Sequence, residues 1–313
     1  MRALIAMVVL VMGVIAVAAA DTLVLRNGRR AECEVLGFSA DAVRIRRGGE
    51  EQRDVRLADV DYVEFGELAG EEEAKRKAVE TRSATPLIGY WVKRQGWLGR
   101  PRSPAGELGL LYAGLLLAEP TPDRMVRAEK VYEMIESGDW SVERRGRAKA
   151  GRLRLLIRQG KVAEARPEAE RLLKESEDAR VVIELRQVLA DAAAEQLRVL
   201  VAAHPRWEEE EGVRVERGRW FHEARSGYLH GHVFHGAEED LAARGLWAAV
   251  QLYAGAGERV AARACAEDLV KLYGGAAEAG AAAAWLETAR AEDGEDREDE
   301  GKKVGKRRGK EGR

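Results

Sequence analysis

The spacing of apolar residues changes at about residue 66. Between residues 21 and 66, apolar and polar positions alternate in the short runs TLVLR, RAECEV, AVRIR and VDYVEF. This period of two predicts half-buried β-strands. Asn27-Gly28 lies between the first two runs and predicts a type I′ hairpin turn, which needs a positive φ at both residues. Four or five short strands in so few residues predict a small, strongly bent sheet, whose edges are covered by closure or by the segment that follows.

From residue 67 onward the apolar positions recur about every 3.6 residues, which predicts α-helices joined by short turns. Residues 67–103 are interpreted as one polar helix and a linker that is rich in aromatic and basic residues. Residues 104–290 are interpreted as a series of helices. Pro120 and Pro122 separate two of them, and Ser141 is predicted to be the N-cap of another.

Two helix pairs in this series share a pattern around a glycine, in LRLLIRQGKVAEARPEAERLL and AAVQLYAGAGERVAARACAEDLVKLYGG. A glycine allows the chain to reverse between antiparallel helices, and a small alanine allows the second helix to approach the first closely. An apolar residue further along then packs the second helix against the next unit. The positions that match are Gly160 with Gly257, Ala165 with Ala262, and Leu172 with Leu269.

This glycine and alanine spacing resembles the tetratricopeptide repeat. The resemblance implies an α-solenoid, in which neighbouring helix pairs complete one another's core and form a concave surface that binds a protein or peptide. Pro167 departs from the repeat pattern and predicts a kink or a late helix start. Residues 21–66 resemble the small SH3-like or Sm-like barrels that follow the signal peptide of exported bacterial proteins. The predicted fold class is therefore mostly α, with a small N-terminal all-β barrel-like module.

The two ends of the chain differ in composition from its middle. Residues 1–20 combine a positive charge at Arg2, an apolar stretch and a final Ala-Ala-Ala, which is typical of a signal peptide cleaved before Asp21. The alternative is an uncleaved N-terminal anchor. Either interpretation places the protein outside the cytoplasm, in the periplasm or the extracellular space, and cleavage leaves no membrane span. Residues 291–313 have no apolar period, carry acidic and then basic residues, and are predicted to be a disordered tail.

Charge and cysteine content narrow the classes of function. A net charge of −2 with 34% charged residues gives no basic surface, which argues against a nucleic-acid partner. The two cysteines, Cys33 and Cys265, are far apart in the sequence and fall at apolar positions, so both are interpreted as buried small hydrophobes.

All five histidines lie between His204 and His235, and three of them occur in the stretch YLHGHVFHGAEED. On a helix, His230 and His232 would point to opposite faces, because successive residues are about 100° apart. Gly227, Gly231 and Gly236 favour a loop or a broken helix at this stretch. A loop could bring His230, His232 and His235 to one metal ion, so they are the candidate ligands, but the favoured interpretation is no metal and no cofactor.

The sequence contains no nucleophile elbow, phosphate-binding loop or zinc-protease motif. We therefore expect an exported, non-enzymatic scaffold or adaptor that binds a protein or peptide in a helical groove. Candidate contact residues are Trp220, Tyr228, Trp247 and Tyr253, and the alternative for each is a place in the core. Two other functions stay open: a metal-dependent cell-envelope enzyme that uses the histidines, and an envelope-polymer-binding protein whose basic tail makes a weak contact with the polymer.

Overall fold

The computed structural model describes residues 20–48, 51–118 and 120–291. The predicted signal peptide (except residue 20) and the predicted tail (except residue 291) lie outside the described residues. The described chain divides into two compact units. The first contains residues 20–118 together with Gly138–Trp140, and the second contains residues 120–137 and 141–291.

The first unit contains a five-stranded antiparallel sheet in the order β4-β3-β2-β1-β5. The strands are β1 Asp21–Leu25, β2 Arg30–Phe38, β3 Ala42–Arg46, β4 Arg53–Arg56 and β5 Val60–Glu64. Side chains from β1, β2, β3 and β5 form one core cluster: Leu23, Cys33, Val35, Val43, Ile45, Val60 and Val63. The predicted period of two is confirmed in β2 and β3, where buried and more exposed residues alternate, and Cys33 is buried. In β5 the two buried residues are three positions apart.

Two finer expectations about this sheet are wrong. The turn at Asn27-Gly28 does form a hairpin, but only Gly28 has a positive φ, so the turn is not type I′. The sheet also stays open, because β4 and β5 form its two edges without pairing to each other. Only the 3₁₀ turn Leu57–Asp59 connects these edges. Such a connection spans about 14 Å at most, so the sheet is strongly curled without closing into a barrel.

The helices of the first unit follow the sheet: α1 Glu71–Glu80, α2 Ile88–Arg94 and α3 Ala105–Leu116. Arg94 and Glu71 link α2 to α1 through an ion pair of 2.7 Å in which both side chains are buried. Arg94 also donates to the carbonyl of Gly66, at the end of the sheet. Trp97 stacks on Phe65 with ring centroids 5.1 Å apart. The aromatic and basic linker is therefore part of the packing of this unit.

The second unit is helical, and each helix from α5 onward packs against the next one as far as α10. Its helices are α4 Pro122–Gly138, which ends in the first unit, α5 Val142–Arg158, α6 Val162–Glu175, α7 Ala179–Ala203, α8 Glu211–Phe234, α9 Glu239–Gly255, α10 Arg259–Leu272 and α11 over residues 279–291. Ser141 is the N-cap of α5, as predicted, and accepts from the backbone N–H of Arg144. Of the two alternatives predicted for Pro167, the late helix start is wrong, because α6 already begins at Val162 and contains this proline.

The two sequence pairs around Gly160 and Gly257 form the α5–α6 and α9–α10 hairpins. Both glycines have φ +78°, the left-handed conformation that glycine adopts without steric cost. Ala165 and Ala262 are fully buried at the start of the second helices. Leu269 is fully buried, and Leu172 packs at the edge of its core cluster. Cys265 is only partly buried and packs against the core of the second pair.

Gly227 and Gly231 do not break the helix. α8 continues to Phe234, so the expectation of a loop or a broken helix is wrong at these two glycines, whereas Gly236 does lie in the turn between α8 and α9. A Cβ at Gly227 would lie 2.7 Å from the carbonyl oxygen of Arg186, and a Cβ at Gly231 would lie 3.1 Å from Ile183. On α9, a Cβ at Gly245 would lie 2.2 Å from the carbonyl oxygen of Tyr228. These glycines allow α7, α8 and α9 to pack backbone against backbone.

Candidate functional site

A network of charged side chains lies inside the second unit, around the carboxylate of Glu184 on α7. Glu184 is buried and has three guanidiniums near it. Arg244 lies 2.9 Å from this carboxylate, Arg154 lies 3.3 Å from it, and Arg147 lies 3.9 Å from it. Burial opposes the charge on Glu184, but the arginines outweigh burial and lower its pKa to about 2.

Arg154 connects this network to a second carboxylate, that of Asp191. Its Nε donates to Asp191 Oδ2 at 3.1 Å, and its Nη1 donates to Glu184 Oε2 at 3.3 Å. Burial alone would lower the pKa of Arg154, but the two carboxylates raise it. The hydroxyl of Tyr228 donates to the other oxygen of Asp191 at 2.9 Å. Burial, together with the negative charge of Asp191, raises the pKa of Tyr228 well above its usual value.

A cleft of about 400 Å³ opens beside this pair. Its lining residues come from α5, α7 and α8 and comprise Arg154, Ile157, Arg158, Asp191, Ala194, Glu195, Arg198 and Tyr228. The Nη2 atom of Arg154 is buried and has no hydrogen-bond partner among the described residues. Arg158 stands one turn further along α5, and its pKa is lowered by desolvation and by the charge of Arg154. Two arginines of α5 therefore line the cleft, and one of them, Arg154, also belongs to the buried charge network.

A second feature of this unit is the connected end of the α7–α8 hairpin, residues 194–223, which we call the arm. It comprises the last part of α7, the connection and the first part of α8. α7 and α8 contain 25 and 24 residues, whereas α5, α6, α9 and α10 contain 14 to 17. No residue between Ala193 and Ala224, a stretch that the structure describes completely, is buried. The arm's part of α7 is ten residues long, which corresponds to about 15 Å of helix. The two helices of the arm have too few neighbours to bury a core.

Apolar and aromatic side chains remain on the arm. Val215 is 68% exposed and Val199 is 49% exposed. Arg217 covers the ring of Trp207 at 4.1 Å, and Arg219 lies 4.3 Å from the ring centroid of Trp220. The arm therefore combines exposed aliphatic groups with aromatic rings under guanidiniums, which is the residue chemistry enriched in protein interfaces.

The four aromatic residues that the sequence suggests as partner contacts have different surroundings. Tyr228 is buried and lines the cleft. Trp220 lies on the arm, where Arg166 also approaches its ring at 5.1 Å. Tyr253 is buried beside Phe221, with ring centroids 5.8 Å apart, and Trp247 packs against the same core cluster. All four therefore belong to one core cluster or pack against it; Tyr228 also lines the cleft, and Trp220 also lies on the arm.

The structure separates the three candidate metal ligands. His232 Nδ1 lies 3.0 Å from the hydroxyl of Tyr273, the residue that directly follows α10. His230 is next to His235 instead, with ring centroids 5.4 Å apart. In the part of the chain that the structure describes, no three histidine, cysteine, aspartate or glutamate side chains are arranged to hold a metal ion. His204 and His222 lie on the arm and contact Glu210 and Arg225.

Sequence reasoning missed the residues that form the cleft and its charge network. Arg147, Arg154 and Arg158 recur on one helix among apolar residues, and this is the only signal that pointed to them. The chain contains 52 basic and 54 acidic side chains, so pairing between distant helices is not visible from sequence spacing.

Comparison with models of protein families, with curated proteins and with solved structures gave no match. Among residues 20–48, 51–118 and 120–291, no helix is long and apolar enough to cross a membrane.

Proposed function

We propose that the protein is an exported, non-enzymatic scaffold whose TPR-like helical array binds a protein partner, with the arm as the docking surface. The observation that carries this proposal is the arm itself, 30 consecutive residues without a buried side chain. Helix stability in proteins comes mostly from tertiary packing of an apolar face, so this helix pair, in which no residue is buried, lacks most of that stability. Binding a partner recovers it, because the partner covers the exposed apolar residues.

The finer features of the scaffold rest on local geometry. The matched hairpins at Gly160 and Gly257 support a tetratricopeptide-like array, since both turns use the same left-handed glycine followed by a buried alanine. The curled five-stranded sheet supports an SH3-like module. Export to the periplasm or the extracellular space rests on residues 1–20, and it is tested by N-terminal sequencing of the secreted chain, which should begin at Asp21.

Site-specific photo-crosslinking in the native cell envelope tests the docking surface. A photoreactive amino acid replaces Val215 on the arm or, as a matched control, Val260 on α10, which is 88% exposed. We expect one or two discrete protein adducts at position 215 and none of these at position 260. Purified mature protein that carries Val215→Arg should then compete less well for the adduct partner than wild type does. Equal adduct patterns at both positions, or no adduct at either, would contradict the proposal.

A further inference from the structure

The predicted cleavage site, the peptide bond between Ala20 and Asp21, lies directly at the beginning of the sheet. Ala20 is exposed and belongs to no strand, whereas β1 begins at Asp21. β1 is an interior strand, because it pairs with β2 on one side and with β5 on the other. The bond therefore joins the last residue before the sheet to the first residue within it.

The side chain of Asp21 fixes this first residue of β1 on both sides. Its Oδ2 accepts from the backbone N–H of Val35 on β2 at 2.8 Å, and its Oδ1 accepts from the backbone N–H of Gly66, two residues after β5, also at 2.8 Å. Hydrogen bonds to an ionised carboxylate are stronger than those between neutral groups. Asp21 therefore stabilises the beginning of β1, where a strand would otherwise fray most easily.

The residues that follow Asp21 are paired on both sides as well. Leu23 pairs with Ala31 on β2 and with Val63 on β5, and its side chain is buried in the core of the sheet. A protease binds the residues on both sides of a scissile bond in an extended, unpaired form, so β1 must leave the sheet before the bond is cut. Because β5 pairs only with β1 among the described strands, release of β1 would detach β5 too. Cleavage of the folded chain therefore requires the sheet itself to open.

We propose that folding of this sheet closes the Ala20–Asp21 bond to signal peptidase, so that the chain is either processed before β1 is paired or keeps its N-terminal segment. The step is a hydrolysis: one water is added across the amide bond, which leaves a carboxylate on Ala20 and an α-amino group on Asp21. The order of folding and hydrolysis then determines whether the product begins at Asp21 or retains the apolar stretch of residues 1–20 as an anchor. This inference rests on the proposed export, because it requires a signal peptide, and it adds the timing of cleavage.

The test treats the folded full-length chain, purified in detergent micelles, with bacterial signal peptidase. The comparison chain carries a spacer of about six residues between Ala20 and Asp21, which moves the bond about 20 Å from the sheet. The spacer begins with Asp, so the residues on either side of the scissile bond are unchanged. Mass spectrometry measures the rate of cleavage, and N-terminal sequencing identifies the bond. We expect the folded wild-type chain to be cleaved at least about tenfold more slowly than the spacer chain, because only its open population is a substrate.

Two valine variants without a spacer test whether opening of the sheet limits the rate. Val43→Ala removes a fully buried side chain from the core of the sheet and should speed cleavage of the wild-type site by about tenfold, because the open population grows. The matched control is Val92→Ala on α2 of the same unit, where Val92 is 59% exposed, and it should be cleaved at the wild-type rate.

The outcomes separate this inference from the proposed export. Equal cleavage rates for the wild-type and spacer chains, or for Val43→Ala and Val92→Ala, would overturn the inference and leave export intact. If the spacer chain is not cleaved at all, the predicted signal peptide is wrong and the inference fails with it.

Discussion

Gly245→Ala tests the close packing that holds α8 between its neighbours. The new methyl carbon would lie 2.2 Å from the carbonyl oxygen of Tyr228, whereas ordinary contact begins at 3.4 Å. α9 and α8 must therefore separate by about 1.2 Å, and because the obstructing atom belongs to the backbone, no side-chain rotation relieves the clash. Overpacking of this kind lowers the free energy of unfolding by about 1–3 kcal/mol, whereas the higher helix propensity of alanine raises it by about 1 kcal/mol. Because the clash is severe, we take the upper end of the overpacking range and expect the free energy of unfolding to fall by about 2 kcal/mol.

The matched control is Gly218→Ala, at an exposed position of α8 where a Cβ would meet no atom within 4 Å. The free energy of unfolding of this variant should rise by up to about 1 kcal/mol, because only the difference in helix propensity between alanine and glycine acts there. The assay is urea unfolding of the mature chain followed by far-UV circular dichroism, with the free energy of unfolding taken from the transition of the second unit. If Gly245→Ala is as stable as wild type, or if both variants change stability by the same amount, the backbone packing inferred at Gly245 is wrong.

Three further predictions concern the charge network and the thiols. Glu184→Gln leaves three guanidiniums around a neutral amide and should lower the free energy of unfolding in urea by about 3–5 kcal/mol. The control Glu168→Gln breaks an exposed ion pair with Arg171 and should lower it by less than about 1 kcal/mol. The pKa of Glu184 is lowered from 4.5 to about 2 in the folded chain, so as the pH falls this carboxylate is protonated in the unfolded chain before it is protonated in the folded chain. The stabilisation is therefore present above pH 4.5 and is lost as the pH falls toward 2, so the stability gap between wild type and Glu184→Gln should shrink over that window; a constant gap would contradict it. Burial and, to a smaller extent, the charge of Asp268 raise the pKa of Cys265 to about 11. Iodoacetamide should therefore label Cys265 and Cys33 slowly in the native chain at neutral pH and quickly in urea, as measured by mass spectrometry. Rapid labelling of the native chain would contradict this prediction.

Much of the architecture could be predicted from periodicity, because burial of one face imposes its period directly on the sequence. The alternation around Cys33 and Val35 identifies strands, and the 3.6-residue spacing with Gly160 and Gly257 identifies helix pairs. Curl and closure of the sheet could not be predicted in the same way. They depend on the pairing of strand edges that are distant in sequence, and the short β4 contributes little apolar patterning.

The candidate site was much less predictable. Gly227 and Gly231 suggested a loop, since glycine usually weakens a helix, but here each lies where another helix approaches too closely for a side chain. That approach is a tertiary contact, which local propensity does not encode. The cleft likewise depends on Arg154, Asp191 and Tyr228 meeting from three helices, and none of these residues is distinguished in the sequence from the many charged and aromatic residues around it.

The close packing at Gly227 and Gly231 divides α8 into two mechanically different halves. Downstream of Ala224, sliding or rotation of the helix would break backbone contacts with α7 and α9. Upstream, its contacts with α6 and α9 are made by side chains, through Arg166 with Trp220 and through Tyr253 with Phe221. Bending is therefore concentrated where the halves meet, and there Ala194, Glu195 and Arg198 form a wall of the cleft. Any deflection of the arm changes the width of that opening. If a partner bends the arm and a ligand occupies the cleft, thermodynamic reciprocity requires that each alters the affinity for the other by the same factor.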